Sequence, residues 1–147
     1  MTHAGLDVFD TTVQKSNEWL NRLMELLHTE NKHFAYSALR AVCHTLRDRL
    51  IPGEAAGLGA QLPMLLRGMY YEGWSPKITP IVERKADDFL EKVSDEIPRR
   101  PEYDAERIVR CVFTLLAERI SLGEIDDIVG TLPRELKEFW PAQVRAA

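Results

Sequence analysis

The chain has 147 residues, 45% of them apolar and 29% charged, a balance that belongs to a soluble globular protein long enough to bury roughly two thirds of its unfolded surface as one domain. A formal net charge of −4 and a pI near 5.6 argue against a general affinity for phosphate backbones, which takes clustered Lys and Arg to displace counterions; no nucleic-acid partner is expected. No apolar run approaches the roughly 18 to 20 residues that cross a bilayer, and the start, "MTHAGLDVFDTT", has neither a basic nor an apolar leader region, so no membrane contact and a cytoplasmic location are expected.

The first helix is expected near 11 to 28, where "NEWLNRL" sets Trp19, Leu20 and Leu23 at helical spacing. It ends in Glu25-Leu-Leu-His28, the E-x-x-H spacing that lets a carboxylate and an imidazole on one face share a metal, with His33 following in a loop. Such a centre needs a second motif, and 70 residues on stand Asp95 and Pro98 instead. A metal site is therefore not expected, although a metal-binding protein or enzyme using Glu25, His28 and His33 is the alternative reading.

A second helix is expected near 34 to 50, with Leu39, Val42, Cys43, Leu46 and Leu50 on one face and Ser37, Arg40, His44, Arg47 and Asp48 on the other. On that pattern His44 faces solvent, and Cys43, like Cys111, is a small buried hydrophobe without a partner motif. A short helix near 53 to 60 and another near 63 to 72 follow. Proline breaks a helix interior but suits a first turn, so Leu62-Pro63 reads as a stop and restart. The "GLG" at 57 to 59 lacks the preceding strand of a nucleotide loop and reads as close packing or a weak turn. Met69, Tyr70, Tyr71 and Trp74, beside Met64 and Leu65, make the densest aromatic and methionine patch, read either as core or as a binding surface. A linker is expected at about 71 to 79, where Gly73, Pro76 and Pro80 interrupt helix, followed by helices near 80 to 96, 104 to 120, 122 to 130 and 133 to 140.

Shifted by 70 positions, the chain matches itself. Between 35 and 70 the identical pairs are Ala35/Ala105, Arg40/Arg110, Val42/Val112, Leu46/Leu116, Arg49/Arg119, Gly53/Gly123, Glu54/Glu124, Leu62/Leu132, Pro63/Pro133 and Leu66/Leu136. Average residue usage would give about two or three such pairs by chance. The expected fold is an all-α helical bundle of two homologous units, residues 10–72 and 80–141, sharing one core within a single domain, 1–147. Glu54 and Glu124 should sit in the first turns of the two short helices, and the repeated arginines should pair with repeated acids, Glu54/Glu124 or Asp48/Glu118.

Three stretches, "GLDVFDTTVQKSNEWL", "AYSALRAVCHTLRDRLIPGEAAGLGAQLPMLLRGMYYEGW" and "LPRELKEFW", resemble the bacterial domain of unknown function 2267 family across roughly residues 5 to 141. The resemblance implies an all-helical soluble bacterial protein and carries no activity. GxxxxGK[ST], GxGxxG and HExxH are absent, and no serine or cysteine stands at a recognised triad spacing. No catalytic residue and no cofactor are expected. The functional expectation is a non-enzymatic binding or adaptor protein for a protein partner or small ligand, with Met69, Tyr70, Tyr71 and Trp74 as its surface in a groove between the units.

Overall fold

The computed structural model describes residues 5–98 and 103–145, and among them every regular element is a helix. In α1 (Asp7–Leu27) the buried residues Ser16, Trp19, Leu20, Leu23 and Leu27 share one face. The helix starts four residues earlier than the apolar spacing suggests, with Asp7 and Asp10 in the first turn at the positive end of the macrodipole. It closes on His28, whose left-handed φ of 55° lets its amide reach back to the Glu25 and Met24 carbonyls, the part usually taken by glycine. α2 (Lys32–Arg47) is capped by Asn31, whose Oδ1 accepts from the Phe34 amide at 3.0 Å. α3 (Pro52–Ala60) opens on a proline, and α4 (Met64–Tyr71) restarts directly after Pro63.

Residues 72–85 form no helix, a longer connection than the 71–79 expected. Two ties hold its later part across the end of α2: the Ile81 amide donates to the Asp48 carbonyl at 2.7 Å, and Glu83 pairs with Arg49. α5 (Ala86–Asp95) therefore begins six residues after position 80, the start expected for it. α6 (Ala105–Arg119) and α7 (Leu122–Thr131) are capped by Asp104 and Ser121, which accept from the Arg107 and Glu124 amides. α8 (Arg134–Lys137) is a single turn rather than a helix to 140. Phe139 and Trp140 bond back only three residues, to Leu136 and Lys137, and Pro141 stops the run before α9 (Ala142–Arg145), which the sequence pattern does not announce.

α2 and α6 lie together at the centre, and α1 and α5 each pack against both. α3 meets α7, α4 covers α1 and α2, and α9 rests on α7. The buried side chains form one cluster that includes Trp19, Phe34, Leu46, Phe89 and Phe113, with Phe113 stacked on Trp140 at 4.1 Å. α3 and α7 start at 52 and 122, and α4 and α8 at 64 and 134. Residues 51–70 and 121–140 run through the same order of buried, half-buried and exposed positions, except at 56/126 and 57/127. No helix among the described residues is long and apolar enough to cross a membrane.

Candidate functional site

Where α4 lies across α1 and α2, the three helices leave a cavity of about 320 Å³. α1 contributes Val13, Ser16, Asn17 and Leu20, which fall at i, i+3, i+4 and i+7 along one face. α2 contributes Tyr36. Leu65, Leu66 and Met69 come from α4, whose first turn is tied to α1 by the Leu65 amide donating to Thr12 Oγ1 at 2.9 Å. Leu20, Leu66 and Met69 are buried and form the floor, while Val13 (47% exposed), Leu65 (55%) and Tyr36 (37%) stand at the opening. Apolar walls with very few polar groups are the usual make-up of a small-molecule site, and this volume is at its lower end.

Three lining residues are polar, Ser16, Asn17 and Tyr36. Ser16 is 4% exposed, and its Oγ has no hydrogen-bond partner. Two other helical hydroxyls are spent on their own helix: Thr45 Oγ1 donates to the Ala41 carbonyl at 2.7 Å and Thr114 Oγ1 to the Arg110 carbonyl at 2.8 Å.

The expected binding surface is divided by the fold. Met69 and Tyr70 are interior, with the Tyr70 hydroxyl donating to the Ala55 carbonyl at 2.7 Å and burial raising its pKa. Tyr71 and Trp74 are half-buried, packed ring to ring at 5.3 Å on the α3 side of α4. Of the four, only Met69 lines the cavity, where Met64 is replaced by Leu65 and Leu66 as the aliphatic wall. The cavity thus lies among the N-terminal helices, and Tyr70, Tyr71 and Trp74 are not part of its lining.

His44 is a correction. It is buried, not on a solvent face, because α4 covers the side of α2 that the apolar pattern leaves polar. Its Nε2 donates to the Met69 carbonyl at 2.7 Å, and beside it the buried Arg47 donates to the Tyr70 and Glu72 carbonyls at 2.6 and 2.8 Å and to Asp48 at 2.9 Å. Together they satisfy the orphan carbonyls at the end of α4. Burial is the main cause holding the His44 pKa below its ordinary value; the Met69 bond and Glu96 act the other way, while Arg47 and Arg40 add to the lowering.

For Arg40, Arg49 and Arg110 the pairings differ from those expected, while the Arg119 charge does act on Glu118. Arg49 pairs with Glu83, donates to the Thr45 carbonyl and lies over the Phe89 ring. Arg40 faces Glu72 at 3.7 Å, and Arg110 bonds Glu106 and the Glu138 carbonyl. Glu118 is held by Arg22 through two bonds of 2.8 and 2.9 Å, which keep its carboxyl below the usual range. The repeated acids Glu54 and Glu124 meet each other where α3 crosses α7: their oxygens and one of Asp127 lie within 4.8 Å of one another. Burial first, then Glu54 and Asp127, raise the Glu124 carboxyl. At Gly57 an added Cβ would stand 2.6 Å from Glu124 Oε1, so "GLG" is close packing.

Glu25 and His28 are exposed along a shallow depression at the end of α1, and Glu25 faces Arg22 at 3.6 Å. His33 lies outside that depression, and the three do not converge as a ligand set. Cys43 is fully enclosed, which pushes its thiol up to about 12, and Cys111, half-buried, reaches the Leu26 carbonyl at 3.4 Å. Both are free thiols that serve as packing groups.

Residues 16–139 match the family model described as an uncharacterized conserved protein, DUF2267. The chain belongs to this family. No curated protein matches it. The matched span begins at Ser16 and takes in the cavity floor and α4, whereas the wall residue Val13 lies before it; the DUF2267 match names no activity.

Proposed function

We propose that this DUF2267 chain is a binding protein, built by internal duplication, whose N-terminal unit holds a small apolar ligand in the cavity between α1, α2 and α4. The observation that carries the reading is the contrast between paired positions. At the offset of 70, the three residues at the opening, Val13, Tyr36 and Leu65, correspond to Glu83, Glu106 and Glu135. Residues 7–15 are helical, whereas 77–85 are not, and Glu83 and Glu135 are spent on Arg49 and on the Ala86 amide. One unit thus bears ordinary surface charge where the other leaves an apolar mouth. An apolar mouth around a cavity, kept open to water, has a physical use if something is buried there.

The test is ligand-observed NMR with small apolar molecules on the intact protein and on Val13→Trp. Val13 is half exposed, so the larger ring obstructs the mouth without disturbing the core. Binding by the wild type and its loss in Val13→Trp at unchanged Tm is the expected result. Equal binding by both proteins, or by neither, defeats the reading.

A further inference from the structure

We propose that the crossing of α3 and α7 is a proton-operated junction: one proton taken from solvent is shared between the carboxyl groups of Glu54 and Glu124 and joins the two helices, and its loss sets two carboxylates against each other and loosens them. The proposal is independent of what the cavity holds. The two acids stand 70 positions apart, in the first turns of α3 and α7, where the positive end of the macrodipole favours each carboxylate singly. The crossing then brings them together with Asp127, with oxygens of all three within 4.8 Å of one another.

The enclosure of Glu124 is what makes a proton necessary. Its Oε2 is shut off from water and finds no hydrogen-bond partner, and its Oε1 lies so close to α3 that a Cβ added at Gly57 would stand 2.6 Å away. An enclosed carboxylate needs donors or an opposite charge, and the two helices offer neither, since their charged residues are all acids: Glu54, Glu124, Asp126 and Asp127. The bases on the helices packed against them are engaged elsewhere. Arg67 of α4 bonds the Gly59, Ala60 and Leu62 carbonyls. On α6, Arg107 reaches the Leu27 carbonyl, Arg110 bonds Glu106 and the Glu138 carbonyl, and Arg119 acts on Glu118. Arg145 of α9 lines a separate depression with Arg134 and Lys137. A proton on one carboxyl turns it into a donor to the other and removes one of two clashing charges, so it belongs to the pair rather than to either residue. In keeping with this, burial first, then Glu54 and Asp127, hold the Glu124 carboxyl above its ordinary 4.5. The folded chain therefore binds this proton more tightly than the unfolded one. The stability it contributes is full below about 4.5 and is lost as pH rises through the folded-state value.

Urea denaturation of the intact protein in EDTA, from about pH 5 to 8, where exposed carboxylates stay ionised, compares wild type with Glu54→Gln, Glu124→Gln and the double variant. These substitutions keep the side-chain shape, and a glutamine amide supplies at every pH the donor that the shared proton supplies only when bound. The urea midpoint of each single variant is expected to rise relative to wild type as pH increases, and the double variant, with no repulsion left to remove, to gain no more than either single one. His44 has the opposite pH dependence, is common to all the proteins compared and cancels in the difference. A difference between single variant and wild type that stays constant across this range, or single-variant gains that add in the double, overturns the proposal, because two separate exposed acids would behave in that way. Millimolar calcium, added without EDTA, that lifts the wild-type midpoint at the high-pH end to that of the variants also overturns it, by closing the pair with a cation in place of a proton.

Discussion

Arg47 keeps a guanidinium almost wholly out of water and spends its bonds on the buried Tyr70 carbonyl, the Glu72 carbonyl and Asp48. The planar fork of donors suits two diverging carbonyls as an ammonium cannot. Arg47→Met should therefore lower stability by about 3 kcal/mol in urea denaturation, and Arg47→Lys should recover little of it. His44 beside it gives a pH signature. Its folded-state pKa lies below the ordinary value near 6.5, so as pH falls the unfolded chain takes up a proton before the folded chain does. Stability that is fully present above about 6.5 is then lost as pH drops through the folded-state value, against the groups that face the ring: Arg47 and Arg40 of α2 and Glu96 at the end of α5. Urea titrations between pH 5 and 8 should give wild type a steeper loss toward low pH than His44→Gln. Neither role is legible in the sequence, because His44 and Arg47 occupy the polar side of an amphipathic pattern, and that pattern reports only the more apolar of two covered faces.

At the scale of elements, helical spacing locates α2, α3, α6 and α7 to within a few residues, since apolar periodicity, proline stops and polar caps act together there. It places α5 too early, because the Ile81 and Glu83 contacts that hold 80–85 away from helix join residues far apart in sequence. Pro63 is read correctly as the break between α3 and α4, and the return of α4 over α3 explains Gly59. An added Cβ there would stand 2.5 Å from the Tyr71 hydroxyl and 3.0 Å from the Tyr70 ring. Gly59→Ala must push both tyrosines away, and the expected loss is about 1 to 3 kcal/mol, despite alanine's better helix propensity. Gly53, with nothing within 4 Å of an added Cβ, is the control: Gly53→Ala should leave the urea midpoint unchanged or raise it.

In the whole molecule, α1 and α5 each pack on both central helices, so one core runs through the described residues. The all-helical class was legible from apolar spacing alone. The cavity was not, because its walls are Val13, Leu65 and Tyr36, residues that look like scattered surface apolars until α4 folds over α1. Of the aromatic cluster that did stand out, Tyr70 is buried and Tyr71 and Trp74 are half-buried, while Met69 also lines the cavity. The most direct test is methyl-resolved NMR of the intact protein during titration with toluene. Shift changes concentrated on Val13, Leu20, Leu65, Leu66 and Met69, saturating together, are predicted. Changes centred on other methyls such as Leu26, or no saturable change at all, would contradict the assignment of this cavity as the binding site.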